Sequence, residues 1–329
     1  MKMPKILEAL LQTPTASGAE QYARQTLQTA LAPFADEITT DACGNLQALR
    51  RSAAFQGSSD NTDAPAKKIA LFCAMDAPGL IVTYPEENGL VRVAPLGNVG
   101  ADNQTDFAAV RFCTVSDGTR TGVLLPNKAD ENPREAHVDF GFADGCEAKQ
   151  IVAPGDPLYL CPPPVPLAGD LLYAPALGNK LCAAALCLAF EKNGRLPESD
   201  LQVVFCAQTA LGNRGASSAA YAVTPDFALC LEPYEGTVPG VKVFDRSLVC
   251  DEALTDALRE AARQCGTELM SVVAPEENSD AARVHAAGAG VPTAVLLLPV
   301  GHRGALLERA HTDTVFTLAA IIEKFLNNR

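Results

Sequence analysis

The chain has 329 residues, enough for one large or two ordinary domains, and its 48% apolar and 20% charged content is that of a globular protein. A formal charge of −13 argues against nucleic acid and anionic membrane surfaces as partners, because both are polyanions. Eleven cysteines occur without a single C-x-x-C pair. Most sit in apolar runs, as Cys73, Cys113, Cys187, Cys206 and Cys230 do, which fits a reducing, cytoplasmic setting and argues against a structural zinc. No run approaches ~18 apolar residues, so no membrane span is expected. The opening "MKMPKILEALLQ" lacks a long apolar stretch and reads as the start of the mature fold.

Residues 4–11 are apolar at helical spacing, and Ser17-Gly-Ala-Glu20 reads as a capping box that opens a second helix to about Phe34. "EITTDACGNLQALRR" predicts two strands around a Gly44-Asn45 turn, and residues 52–65 read as a polar loop. "ALFCAMDAPG" is a buried strand that runs into Asp76 and breaks at Pro78-Gly79. The texture then changes. Asn88-Gly89 is a strong hairpin signal, and "AAVRFCTV", "TRTGVLLP", "AHVDFGF" and "DPLYLCP" follow as short strands. No long helix is expected between about Leu80 and Cys161, so this block reads as a small all-β unit that ends in Pro162-Pro163-Pro164.

From Ala174 onward helices and strands alternate. Helices are predicted over 180–192, 214–223, 252–264 and 280–288, and from about 314. Strands are predicted over 201–208, 227–232, 268–275 and 292–300. Buried strands between helices imply an α/β fold, with a mixed, mainly parallel sheet and helices on both faces. On this reading residues 1–79 and 166–329 form the α/β domain, and 80–165 form an inserted, barrel-like β domain.

Ligands of open α/β sheets bind beyond the carboxyl ends of the strands. The candidates there are Asp76, Gln208-Thr209, Glu232 and the turn at His302, with Lys180 at the start of a helix on the same side. There is no G-x-G-x-x-G and no P-loop, and Ser217-Ser218 have no adjacent base.

The stretches "LLQTPTASGAEQYARQTL", "ITTDACGNLQAL", "GLVRVAPLG", "VAPGDPLYL", "NRGASSAA" and "SDAARVHAAGAGVPTAVLLLP" occur in this order between about Ile6 and Leu326. Taken together they resemble the glutamyl and deblocking aminopeptidases, dinuclear-metal peptidases that form tetrahedral particles. The resemblance implies an α/β catalytic domain, an inserted β-barrel-like domain through which copies associate, five metal ligands and a Glu general base. The first ligand, a His two before an Asp, falls on Ala74. The bridging Asp that opens an Asp-Asp-Arg motif falls on Gly178, in Gly178-Asn179-Lys180. The Glu-Glu pair, base and then ligand, falls on Thr209-Ala210. The Asp that closes the next strand is the longer Glu232. The last His falls on His302 with a local shift, or on Arg303 under strict spacing.

Three of the five ligands and the base are thus replaced. A catalytic zinc needs about three protein ligands, and a hydroxyl does not titrate as a base near neutral pH. The expectation is a non-catalytic pseudopeptidase without a cofactor, which binds a peptide or small molecule or co-assembles. Two alternatives stand beside it: a metallo-aminopeptidase holding zinc or cobalt at a site rebuilt from Glu232, His302, Asp280 or Glu308, and a purely structural assembly subunit. Asp76, Lys180, Glu232, Asp280 and His302 are the pocket candidates. Asp76 reads as a structural carboxylate that accepts backbone or Lys180 hydrogen bonds. Lys180 is either a surface residue at a helix start or an ammonium that replaces the lost metal charge.

Overall fold

The computed structural model describes residues 3–54, 66–97, 108–114, 118–125 and 136–329. Most of the polar loop expected over 52–65 lies outside them. The chain opens with α1 (Lys5–Gln12) and α2 (Gln21–Leu31), which bury Leu7, Leu10, Leu27 and Leu31. The predicted capping box does not form. Glu20 stands at the N-cap itself, and its carboxylate accepts the Gly18 and Gln208 N–H groups, both at 2.8 Å. The acid that would have closed back on Ser17 is drawn instead to the end of a neighbouring strand.

A hairpin follows, β1 (Glu37–Thr40) and β2 (Leu46–Arg50), and then β3 (Lys67–Ala74), whose last six residues are buried. The chain next builds a closed barrel from β4 (Gly79–Pro85), β5 (Val91–Leu96), β6 (Ala108–Thr114), β7 (Gly118–Leu125), β8 (Ala136–Asp139) and β9 (Pro157–Leu160), in the order β4-β5-β8-β7-β6-β9. Closure leaves no free sheet edge, which is how a small β unit protects its backbone. Leu80, Val82, Val91, Val93, Val138 and Leu158 fill the interior. The β4–β5 hairpin turns at Gly89 with φ +86°, and a Cβ there would sit 2.4 Å from the Phe142 carbonyl oxygen. One short helix, α3 (Gly145–Ile151), lies between β8 and β9, capped by the Asp144 side chain on the Cys146 and Glu147 N–H groups.

After β10 (Val165–Pro166) and β11 (Leu171–Ala174) come α4 (Leu177–Lys192), β12 (Ser199–Cys206), α5 (Arg214–Val223), β13 (Phe227–Glu235), β14 (Gly240–Asp245), β15 (Leu248–Val249) and α6 (Glu252–Gln264). The chain closes with β16 (Met270–Ala274), α7 (Asp280–His285), β17 (Thr293–Val300), β18 (Glu308–His311) and α8 (Thr314–Asn327). The large sheet runs β1-β2-β12-β3-β13-β17-β14-β15, with β16 also paired to β14. Its centre, β12-β3-β13-β17, is parallel, while β2 and β14 join antiparallel. All eight residues of β17 are buried, as a strand covered on both faces requires. Leucine-rich sides of α1, α2, α4, α6 and α8 cover one face, and α5 and α7 cover the other. The fold is therefore mixed α/β with helices on both faces. Among the described residues, no helix is long and apolar enough to cross a membrane.

Three differences from the sequence reading bear on the site. Helix α4 starts at Leu177, so Gly178 and Asn179 belong to its first turn rather than to a loop before it. Strand β13 extends to Glu235, so Glu232 lies inside a strand and not at its end. Its pairing with β3 stops at Leu231, which leaves Pro233 unopposed on that side and spares a ladder bond. Strand β14, with Lys242, was not predicted at all.

Candidate functional site

The parallel strands end in a group of buried carboxyls. Beyond β3, Asp76 is 1% exposed. Its Oδ2 accepts the Ala210 N–H at 2.9 Å, and its backbone oxygen accepts Asn179 Nδ2 at 2.8 Å. Burial pushes its carboxyl up to about 6, and the Ala210 N–H opposes that shift. Beyond β12 the chain turns through Gln208, at φ +55°, and aims the Thr209 hydroxyl at Asp280 Oδ2, 3.0 Å away. Asp280 opens α7 and is 5% exposed, and its other oxygen has no hydrogen-bond partner among the described residues. Burial, then the charges of Glu232 and Asp76, push it up to about 8. This environment favours the protonated form of Asp280 over the carboxylate.

Glu232 projects from β13. Its Oε2 accepts Lys242 Nζ at 2.7 Å, and its Oε1 accepts the Ala281 N–H at 3.3 Å. Lys242 also donates to Asp245 Oδ2 at 3.0 Å. Burial pulls the ammonium towards neutrality, but Glu232 and Asp245 outweigh it and hold Lys242 well above the usual lysine range. Asp245 is held below the ordinary carboxylate value: Ser279, Ser247 and Lys242 outweigh the opposing effect of its burial.

At the start of α4, the Gly178 N–H donates to Glu308 Oε2 at 2.8 Å, and the Gly304 N–H donates to Glu308 Oε1 at 3.0 Å. Glu308 thus serves the first turn of the helix. Lys180, one turn on and half-buried, lines a cavity of about 10 Å³, room for one water, with Thr13, Met75 and Asp76. Burial pulls Lys180 down to about 8, and its ammonium has no hydrogen bond or ion pair among the described residues. The bond anticipated between Lys180 and Asp76 is absent, and the ammonium that meets a pocket carboxylate is Lys242.

His302 is not directed into this group. It is exposed at φ +59°, its N–H donates to Glu235 Oε1 at 3.2 Å, and its ring stacks on Tyr173 with centroids 6.0 Å apart. The Arg303 N–H donates to the other Glu235 oxygen at 2.8 Å, and its guanidinium pairs with Glu277 at 2.6 Å. The structure therefore brings together Asp76, Thr209, Ala210, Asp280 and Glu232. It sends Lys180 to the α1–α2 side and leaves His302 at the surface.

These residues do not fit a dinuclear metal centre. Ala74, Gly178 and Ala210 offer no side-chain donor. A Cβ on Gly178 would lie 2.4 Å from Pro233 Cβ and 3.2 Å from Val300 Cγ1, so the helix start has closed on the strand. Ala210 is covered by the barrel rim: a Cβ on Gly97 would lie 2.6 Å from Ala210 Cβ. Glu232 already holds an ammonium. Among the described residues, the group of three potential ligands whose donor atoms all lie within 4.8 Å is Asp170, His311 and Asp313, in the sheet β10-β11-β18 region at the surface.

The family model for M42 glutamyl aminopeptidases matches residues 57–321, more than half of the chain. The chain belongs to the M42 glutamyl aminopeptidase family. The lysyl aminopeptidase of Pyrococcus furiosus is 25% identical to this M42 member over 97% of the present chain and 96% of its own. Two solved structures share its fold. An aminopeptidase of the archaeon Desulfurococcus kamchatkensis superposes with a TM-score of 0.86 at 18% identity, covering 99% of this chain and 94% of the other. The TET1 peptidase of Pyrococcus horikoshii superposes with 0.81 at 21% identity, covering 97% and 98%.

Two residues of this M42 member's site, Lys242 and Asp245, escaped the sequence reading. A signal did exist: "GVKVFD" alternates between Pro239 and the Arg246-Ser247 turn. A lysine on the inward side of so short a strand asks for a carboxylate partner.

Proposed function

We propose that this M42 family member no longer hydrolyses peptides and acts as a binding or co-assembling protein on the aminopeptidase scaffold. Gly178 carries the reading. Two-metal hydrolysis needs a bridging group that holds the ions about 3.5–4 Å apart. A side chain at 178 would begin 2.4 Å from Pro233 Cβ. Thr209, at the position of the general base, spends its hydroxyl on Asp280, and a hydroxyl of that kind does not take up protons at neutral pH.

On this reading the α/β part, residues 1–79 and 166–329, binds a peptide or small molecule near the strand ends that carry Asp76, Asp280 and Glu232. The insert, 80–165, is the surface through which copies associate. The fold neighbour from Pyrococcus horikoshii is described as assembling into a tetrahedron or a large octahedral shell. The test is elemental analysis of protein purified without chelator and incubated with zinc, cobalt and manganese, beside an aminoacyl-anilide assay. Essentially no bound metal and no turnover are expected. One or two ions per chain together with turnover would overturn the reading and favour a rebuilt metallo-aminopeptidase. Light scattering on the same sample is expected to give a multiple of the chain mass, and a monomer would remove the role given to the insert.

A further inference from the structure

Glu232 is the carboxylate that remains at a position the resemblance gives to a metal ligand, and both its oxygens are engaged. Lys242 Nζ takes Oε2 at 2.7 Å, and the Ala281 amide takes Oε1 at 3.3 Å. Lys242 reaches it from β14 past the intervening β17, since β13, β17 and β14 are consecutive in the sheet. Its register partner Val272 packs against the core cluster that includes Ala281 and Val284 of α7, and the Ala281 N–H meets the same Glu232, so the ammonium lies on the α7 side of the sheet. On its other side Lys242 meets Asp245 Oδ2 at 3.0 Å, and Asp245 Oδ1 accepts the Ser247 N–H and hydroxyl at 2.8 and 3.0 Å. The Lys242 side chain is 1% exposed, that of Asp245 is 0% and that of Glu232 is 13%.

An ion at such depth persists only when charge and hydrogen bonds compensate its lost hydration. Here one cation lies between two carboxylates, with a donor or hydroxyl on most of the remaining oxygens. A divalent ion on Glu232 would have to take the oxygen that the ammonium holds, and two cations at that separation in a poorly hydrated site repel strongly.

We infer that Lys242 is a tethered cation. Its ammonium holds the cation position on Glu232, neutralises Glu232 and Asp245 together, and makes this end of the sheet independent of any metal. The inference rests on the reading of the cleft as metal-free, but a different measurement tests it. Removing the ammonium leaves Glu232 and Asp245 on opposite sides of the vacated space, with Asp280 beyond, which is an acidic pocket suited to a divalent cation.

The experiment compares the wild type with Lys242→Met and Lys242→Arg by thermal melting and isothermal titration, with and without manganese chloride. The wild type and Lys242→Arg are expected to melt at the same temperature with or without manganese. Lys242→Met is expected to melt several degrees lower, to recover much of that loss in manganese, and to bind the ion measurably. A folded Lys242→Met that neither binds nor responds to manganese overturns the inference. So does a wild type that binds manganese and loses the binding in Glu232→Gln. Where Lys242→Met does not fold, the triple variant Lys242→Met with Glu232→Gln and Asp245→Asn, which removes both carboxylate charges, decides: its recovery of the fold supports the tether, and failure to recover refutes it. Anilide turnover by the wild type, with the manganese response of Lys242→Met intact, would sink the proposed function and leave the tether standing.

Discussion

Asp280→Asn should make this protein less sensitive to alkali. The amide keeps the shape of the side chain and an acceptor for the Thr209 hydroxyl, 3.0 Å away. In the folded protein burial and the charges of Glu232 and Asp76 raise the Asp280 carboxyl from 3.8 to about 8. The unfolded chain releases this proton near the ordinary value, while the folded chain keeps it until about 8. Between those limits the native state binds more protons, so stability falls as pH rises through the window. The full gap would correspond to about 6 kcal/mol. Relaxation and water entry reduce what is realised in such sites, so about 2–3 kcal/mol is expected. Urea denaturation at intervals from pH 5 to pH 9 reads it directly. The wild type should lose that much more than Asp280→Asn, with the difference between the two proteins widening as pH rises. Parallel profiles would refute the argument, because every other titrating group is common to both proteins.

Gly178→Ala should cost about 1–3 kcal/mol through overpacking, because its Cβ would meet Pro233 Cβ at 2.4 Å; an unchanged urea midpoint would show that the helix start has room after all. Incubation with a strong chelator should leave the melting temperature of the wild type where it was, and a fall of several degrees would reveal a resident ion. Arg195→Ala should matter at neutral pH and not in acid. Its guanidinium, with both Asp36 contacts at 2.5 Å, holds Asp36 at about 2 instead of 3.8. The contribution of this depressed carboxyl is present above the ordinary value and lost as pH falls through about 2. Wild type and variant should therefore converge in acid denaturation near pH 2, and a constant gap between them would refute the assignment.

The alternation of buried strands with helices made the α/β sheet legible, and the Asn88-Gly89 turn made the first barrel hairpin legible. These are local patterns that tertiary packing reinforces. Gly178, Thr209 and Ala210 could be singled out by position against a family pattern, but the sequence says nothing of what closes over them. Pro233 and Gly97 do so, and they come from a neighbouring strand and from the barrel. Lys242 was missed because its strand is six residues long, too short for periodicity to stand out. Lys180 drew the attention instead because it sits beside a recognised motif. The Glu20 capping box failed for a related reason: a distant backbone N–H, that of Gln208, outcompeted the local one.

The contact between Gly178 and Pro233 also bears on the routes by which this chain can change. An aspartate placed at 178 meets the proline ring, and a smaller residue placed at 233 first leaves a void in the packing beside the glycine. Either step alone is unfavourable, and neither puts a carboxylate or imidazole at 74 or 210. On the proposed reading the contact therefore works as a ratchet in sequence space: a carboxylate at 178 requires at least two coordinated substitutions, whereas changes elsewhere around the strand ends can be made one at a time.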